Sequence, residues 1–371
     1  MDFSGRRKKV YGWLVSENLD AIVIEDSENR RSKSLRYLCG MPADSLLILT
    51  ASGESILVPW DIHLAEQFSQ VDRLLPYNEF ERRYEKAVQQ IAKKYLPPNP
   101  RIEVGSATPV PLYSELKKAL DGEIVCRDGG MDTFLDDLRA VKDHEEIGIL
   151  REAAGITDRM LDRLYEIVHE ERNLSEIDIA MFIESETRQL GAEGMGFPLI
   201  AAGPERSFAI HAFPNYSASP FGAEGMSILD FGVLFEGYTT DVTCTVCRGP
   251  LSKKQENMIR SVEEAYDMAA GLLKPDASTR EISAEIEAFF AEGGYEMPHS
   301  LGHGIGLAAH ETPFLRNRKN SETELKSGMV VTIEPGLYSP ESGGVRLEND
   351  FLITPEGAAE ALTSSRIYTL P

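Results

Sequence analysis

The sequence predicts two domains: an α/β domain over residues 1–130 and, after a connecting stretch at 131–143, an α+β domain over 144–371 built as an internal pseudo-twofold repeat. Three observations lead there. The first ~130 residues alternate strand-like and helix-like patterns. The remainder repeats weakly at an offset of about 105 residues, the length of a duplicated half-domain. Each repeat carries two carboxylates on apolar, strand-like segments: Asp230 and Asp241 in the first, Glu334 and Glu348 in the second.

In the first domain, Ala21–Ile24, Ser45–Leu49 and Ser55–Val58 are short apolar runs bounded by turn residues, and read as strands. Phe80–Tyr95 has apolar residues at helical spacing and is stopped by Pro97-Pro98. Arg101–Gly105 and Glu123–Cys126 read as further strands, and the domain ends near Asp128-Gly129-Gly130. A long charged helix is predicted from about His144.

The repeat is visible at two levels. Asn173-Leu174-Ser175-Glu176-Ile177 matches Ser278-Thr279-Arg280-Glu281-Ile282, each with a short polar residue three before a Glu, a helix-capping pattern. Gly225-Met226 then precedes Asp230-Phe231-Gly232 much as Gly328-Met329 precedes Glu334-Pro335-Gly336. Each half reads as helices followed by a hairpin. A two-residue loop at Phe235-Glu236 sets Asp230 directly opposite Asp241, and a turn between Ser339 and Gly344 does the same for Glu334 and Glu348. Opposed residues have Cβ atoms roughly 4.5–5.5 Å apart, where like charges repel unless a cation lies between them. Two such halves facing each other bring four carboxylates to one centre, which predicts a metal site.

Composition bounds the rest. Hydrophobic residues make up 42% of the 371, enough for a large core, and the net charge of −22 disfavours nucleic-acid binding, which needs a basic face. No run approaches the ~18 apolar residues of a membrane span. Met1–Val10 lacks the apolar core of a signal peptide. Four cysteines are too few for a disulfide framework, so the chain reads as cytoplasmic and reduced. Cys244 and Cys247 form a C-x-x-C, but on a strand they face opposite sides, which argues against a zinc or redox pair.

The histidines fall mainly in one segment, His299-Ser300-Leu301-Gly302-His303-Gly304-Ile305-Gly306-Leu307-Ala308-Ala309-His310-Glu311-Thr312-Pro313. A helical zinc pair at His299 and His303 is disfavoured by Gly302, Gly304 and Gly306, each costing roughly 1 kcal/mol in a helix. The glycines point instead to backbone passing close to a ligand. A further histidine, His211, stands in Phe208-Ala209-Ile210-His211-Ala212-Phe213-Pro214. Phe197 and Tyr216 read as core residues. Four carboxylates and one imidazole carry too much charge for one divalent ion and suit two. Such oxygen-rich ligands favour Mn²⁺, with Co²⁺ or Zn²⁺ also able to bind. Two ions ~3.5–4 Å apart can share a hydroxide and deliver it to a carbonyl, which implies hydrolysis of an amide-like bond.

Asp230-x₁₀-Asp241, the His299–Pro313 segment, Thr332-Ile333-Glu334-Pro335-Gly336 and Val345-Arg346-Leu347-Glu348-Asn349-Asp350 together resemble the signature of the creatinase/prolidase/methionine-aminopeptidase superfamily. Arg139-Ala140-Val141-Lys142-Asp143-His144-Glu145-Glu146-Ile147 resembles its usual lead-in to the catalytic domain, and Arg36-Tyr37-Leu38-Cys39-Gly40 resembles the creatinase-like N-terminal domain of the Xaa-Pro branch. The resemblance implies a "pita-bread" catalytic domain, with helices outside a curved antiparallel sheet. It implies one metal on Asp230, Asp241 and Glu348 and another on Asp241, His303, Glu334 and Glu348, with Asp241 and Glu348 bridging. His211, His299 and His310 match positions that handle substrate or protons. Glu334 counts with them as catalytic, and Arg346 matches an arginine that supports the ligands or touches substrate.

Within that superfamily, an N-terminal domain of this size disfavours a methionine aminopeptidase. The full metal set disfavours a creatinase-type amide hydrolase and a non-catalytic binding protein on the same fold. The expected activity is hydrolysis of the bond before proline at a peptide N-terminus, with Xaa-Pro dipeptidase (prolidase) as the alternative. Some prolidases place an arginine directly after the proline of His-Glu-x-Pro. Here Phe314-Leu315 follows Pro313 and the arginine comes only at Arg316, which leans towards the aminopeptidase. Cys244 also departs from an arginine often seen after the second aspartate. The expected partners are a proline-containing peptide and a second copy of the chain in a homodimer.

Overall fold

The computed structural model describes residues 1–28, 30–171, 173–319 and 322–370. By its internal contacts the chain divides into two units, Met1–Arg139 and Ala140–Pro371.

The first unit is built on a six-stranded sheet in the order Arg73–Leu74, Ser55–Pro59, Ser45–Thr50, Ala21–Asp26, Arg101–Val104, Glu123–Val125. Ala21–Asp26 runs antiparallel to Ser45–Thr50 and parallel to Arg101–Val104. Five of these strands lie where apolar runs predict them. The Phe80–Tyr95 helix starts late: Tyr77–Phe80 is a 3₁₀ turn, and the α-helix spans only Tyr84–Tyr95. Glu81 and Arg82 between them take φ of 54° and 55°, a left-handed conformation that no helix can continue through. The stretch 131–143, expected as a connection, is largely the helix Met131–Ala140. Its apolar residues recur at helical spacing: Met131 and Leu135 are buried, and Phe134 stacks on Trp13 with ring centroids 4.8 Å apart.

The second unit opens with helix His144–Glu170, N-capped by Asp143 in a reciprocal capping box with Glu146. Helix Glu176–Gln189 is capped by Ser175 with Asp178, two positions beyond the Asn173–Glu176 pair predicted from sequence. The matching helix of the other half, Thr279–Glu292, is capped by Ser278 over Glu281 as predicted. Glu176 is instead buried and accepts the backbone N–H groups of Gly203 and Ser217, each at 2.7 Å.

Two antiparallel cores follow, one per half. In the first, Gly225–Phe231 pairs with Val242–Arg248 and packs under the helices His144–Glu170 and Glu176–Gln189, through Leu164, Ile179 and Ile183 against Leu229, Phe231 and Cys244. In the second, Val330–Ile333 pairs with Asn349–Ile353 under Lys253–Leu272 and Thr279–Glu292, through Val262, Ile286 and Phe290 against Val331, Ile333 and Phe351. Truncating any of these large buried side chains to alanine costs about 2–5 kcal/mol. Cys244 faces the first core and Cys247 the second; both are free thiols, pushed up to about 12 by burial. No described helix is long and apolar enough to cross a membrane.

The two hairpins differ from each other in one respect. Ile333 pairs with Asn349 and Gly336 with Arg346, a register that sets Glu334 opposite Glu348, as expected. The first hairpin turns one residue later than predicted. Phe235 pairs with Tyr238, and the loop is Glu236-Gly237, with φ of 47° and 84°. Positive φ at both central residues is what a type I′ turn demands, and only Gly237 of the local residues meets it without cost at the second position. Asp230 therefore pairs with Thr243, not Asp241, and the two aspartates are diagonal neighbours.

Candidate metal centre

Thr243 joins the halves. It pairs with Asp230 on one side and forms an isolated bridge to Glu348 on the other. Its hydroxyl donates to Glu348 Oε2 at 2.7 Å and accepts from Arg346 Nε at 2.9 Å. Arg346, 2% exposed, also donates to Asp230 Oδ2, to Tyr338 Oη at 2.9 Å and to the carbonyl of Ile210 at 3.1 Å. Each carboxylate is thus gripped by one oxygen. The others, Asp230 Oδ1 and Glu348 Oε1, are buried with no hydrogen-bond partner.

Asp230, Glu348, Arg346 and Ile210 line a cavity of about 440 Å³ that also receives Asp241, His303, Glu334, His211, His299 and His310. All nine residues singled out in the sequence meet there. Ligand-capable atoms of Asp241, His303 and Glu348 lie within 4.8 Å of one another. His303 Nε2 is 3.8 Å from Asp241 Oδ2 and 3.6 Å from Glu334 Oε1. Its Nδ1 is 3.1 Å from the carbonyl of Gly304; donation there leaves Nε2 bare and facing the carboxylates. Asp241 is aimed from behind, its N–H donating to Asp350 Oδ2 at 3.1 Å.

The electrostatics fit a cationic guest. Burial, reinforced by Glu348, holds Asp241 well above its ordinary range, and burial with Glu348 does the same to Glu334. Burial and Asp230 push Glu348 up to about 7. Burial pushes His303 down to about 3, keeping it a neutral imidazole. Anions this crowded, with orphaned oxygens and a neutral imidazole beside them, are the donor set of a hard divalent metal.

The other histidines sit around this cluster. His299 Nδ1 is 2.8 Å from the carbonyl of Ser300 and Nε2 is 2.9 Å from Tyr338 Oη. Burial, with Arg346 nearby, lowers His299 to about 4. The His310 ring lies 4.3 Å from that of His303, edge-on, and burial lowers it too. His211 is exposed at the cavity wall, on the segment after Ile200–Ala202.

Sequence reasoning missed several residues here. Thr243 was legible in principle, two positions after Asp241 and so on the same strand face. Tyr338, Asp350 and Asn215, the last of which also lines the cavity, carried no such signal. Phe197, read as core, lines the cavity, whereas Tyr216 does pack against the core. Gly302 and Gly304 make room for neighbouring backbone. A Cβ on Gly302 would lie 2.0 Å from the carbonyl oxygen of Thr332, and one on Gly304 would lie 2.3 Å from that of Thr312.

Comparison with known proteins bears on this site. Residues 148–355 match the model of metallopeptidase family M24, and residues 6–141 match the creatinase/prolidase N-terminal domain. An Xaa-Pro dipeptidase of Pyrococcus horikoshii is 30% identical over 97% of this chain and 97% of its own length. Among solved structures, an Xaa-Pro dipeptidase from Bacillus anthracis superposes with a TM-score of 0.86 at 28% identity, covering 99% of this chain and 100% of that one. An X-Pro aminopeptidase from Thermotoga maritima superposes with a TM-score of 0.84 at 25% identity, covering 98% and 99%.

Proposed function

Because the chain belongs to metallopeptidase family M24 and is a metal-dependent peptidase on the pita-bread fold, we propose that it hydrolyses the peptide bond before proline at a peptide N-terminus. The observation that carries this reading is the convergence of Asp230, Asp241, His303, Glu334 and Glu348 on one cavity whose carboxylate oxygens are partly orphaned. We assign the metal sites to those five residues, with Asp241 and Glu348 shared between two ions, Mn²⁺ being the first choice for so oxygen-rich a set. When bound, such ions lower the pKa of water and stabilise the oxyanion that forms on the attacked carbonyl.

The chain's own groups do the rest. Phe197, Pro198, Ile200 and Phe314 give the cavity apolar walls suited to a pyrrolidine ring. The prolyl nitrogen carries no hydrogen, so selection there is by shape. That nitrogen must gain a proton to leave. His310 and His211, both on the cavity wall, are the groups we assign to hold or pass it, and Glu334, whose carboxyl burial pushes up, is a third. Arg346 and Thr243 orient Asp230 and Glu348.

A dipeptide substrate brings a carboxylate into the site. Arg346 is the single arginine among the described cavity-lining residues, and its donors are engaged with Thr243, Ile210, Tyr338 and Asp230. This favours longer peptides. The dipeptidase reading is favoured by the relatives' own activity, since the Pyrococcus horikoshii and Bacillus anthracis proteins are Xaa-Pro dipeptidases. A panel of Xaa-Pro, Xaa-Pro-Yaa and Xaa-Ala substrates assayed with Mn²⁺, Co²⁺ and Zn²⁺ tests both; equal cleavage of Xaa-Ala and Xaa-Pro would exclude the proline pocket. We further propose a cytoplasmic homodimer, the dimer to be checked by light scattering.

A further inference from the structure

Two segments far apart in sequence meet in a buried ion pair outside the carboxylate cluster. Lys142 Nζ lies 3.5 Å from Glu311 Oε2, and the two side chains are 1% and 2% exposed. Lys142 comes from the lead-in to the long helix His144–Glu170, and Glu311 directly follows His310. We propose that Lys142 and Glu311 are positioning residues for His310, an inference that rests on the peptidase reading above.

The geometry is that of a clamp with one fixed jaw. Lys142 is held by its backbone N–H, which donates to the carbonyl of Gly328 at 2.9 Å, and by the neighbouring bridge between Val141 and Met329. Its ammonium also donates to the carbonyl of Ala140 at 3.3 Å. The other jaw is the segment 306–311. Glu311 Oε1 accepts the N–H of Ala308 at 3.2 Å, Gly306 N–H donates to the carbonyl of Ala308 at 3.1 Å, and the carbonyl of Gly306 accepts from Thr239 at 2.8 Å. Glu311 opens the strand Glu311–Leu315 and is bonded directly to His310. Anchoring its side chain therefore fixes the point in the chain from which His310 reaches the cavity, where its ring sits 4.3 Å from that of His303.

Gly306 belongs to the same device. A Cβ there would lie 2.7 Å from Glu311 Oε2 and 3.1 Å from Lys142 Cε, so a side chain at 306 would displace the pair. A buried ion pair adds little net stability, because desolvation offsets most of the attraction. What it does supply is direction: two partners with few alternative positions.

The test uses the full-length metal-loaded enzyme and its metal-free form. In the double variant Lys142→Met/Glu311→Met, apolar side chains replace both charges, a change that buried pairs often tolerate without loss of stability. The expected result is a cooperatively folded protein with parental metal content, KM nearly unchanged and kcat on an Xaa-Pro substrate lower by about tenfold or more. The chain has seven histidines, so the imidazole resonance of His310 can be assigned with His310→Gln. It should move in the metal-free double variant while those of His63, His144 and His169 stay. Gly306→Ala, which adds no charge and removes none, should give the same pattern, and it decides the matter alone if the double variant does not fold. A folded variant with kcat within about twofold of the parent, an unmoved His310 resonance, or metal lost in step with activity would each overturn the proposal. If the parent cleaves no Xaa-Pro bond, the Xaa-Pro reading fails, and the His310 resonance still reports on the clamp.

Discussion

The hydroxyl of Thr243 donates to Glu348 across the seam between the two halves of the catalytic unit, at 2.7 Å. It is a small neutral group set among anions, and it accepts from Arg346 at the same time. One side chain thus fixes which oxygen of Glu348 is spent on protein and which is left for a cation. Thr243→Val keeps the shape of the β-branched side chain and removes that bond. Metal affinity should fall by about 10–100-fold, as for other groups that orient a ligand, with the melting temperature of the metal-free protein little changed. Titration with Mn²⁺, followed by metal analysis of the dialysed protein, measures it. Unaltered affinity would mean that Glu348 is held by other means.

Asp241→Asn and Glu348→Gln address the proposed bridging ligands. An amide offers one neutral oxygen where two anionic ones are needed. Each variant should lose hydrolysis by at least about 10³-fold and bind less metal, with its fold intact by circular dichroism. Near-normal turnover at full metal occupancy in either one would exclude the dinuclear assignment.

The histidines should separate by role. His303→Ala should lose metal, because its bare Nε2 faces Asp241 and Glu334. His211→Ala and His310→Ala should keep metal and lose kcat by about 10²-fold, since a proton-handling group acts mainly in the transition state. Metal content of the three purified variants decides it, and metal loss from His310→Ala is the result that would sink the division.

Much of this was legible in the sequence, and the failures have physical causes. The four carboxylates were marked by chemical type and spacing, and the roles expected of His211, His299, His303, His310 and Arg346 came from the family resemblance; all nine residues line the cavity. The Glu334–Glu348 register followed from the strand period. The Asp230–Asp241 register did not, because it hung on a one-residue choice of turn that the left-handed backbone at Glu236 and Gly237 decided. A one-residue change in the loop moves every cross-strand partner. Tyr338 and Lys142 were beyond reach for another reason. Their partners, His299 with Arg346 and Glu311, come together only in the tertiary fold.

Stability of the metal-free protein should depend on pH with a definite sign. Glu348 is raised from 4.5 to about 7, mainly by burial, and Asp241 and Glu334 are raised too. A carboxyl raised on folding contributes stability below its unfolded value and loses it as pH climbs through the folded value. His299 and His303, lowered from 6.5 to about 4 and about 3, act in the opposite sense, but only below 6.5. Between pH 6.5 and 8 the carboxylates alone remain, so the melting temperature of the apo-protein should fall across that window. Saturating Mn²⁺ should flatten the slope, because the ions take over the charge that protons otherwise neutralise. Calorimetry at four or so pH values, with and without metal, reads it directly. A flat apo profile would mean that the cluster is not charge-strained.

Substrate length should turn on Phe314. It lines the cavity directly after Pro313, and Arg316, two residues on, stacks over its ring with the guanidinium 4.9 Å from the centroid. An aromatic face at this place offers no charge-assisted bond to the carboxylate that ends an Xaa-Pro dipeptide. It offers apolar contact to the residue that follows proline in a longer peptide. The parent should therefore cleave Xaa-Pro-Yaa at least as well as Xaa-Pro. Phe314→Arg introduces a planar donor pair where the dipeptide carboxylate would arrive. Such a charged hydrogen bond contributes about 1.5–3 kcal/mol, enough to shift the ratio of kcat/KM towards the dipeptide by about tenfold or more. The shift should appear mostly in KM, since the carboxylate lies away from the reacting carbonyl and is gripped equally before and during reaction. A parent enzyme that cuts Xaa-Pro strongly and ignores Xaa-Pro-Yaa would refute the length preference. A Phe314→Arg variant with the parental ratio would place the recognition of the substrate's far end elsewhere.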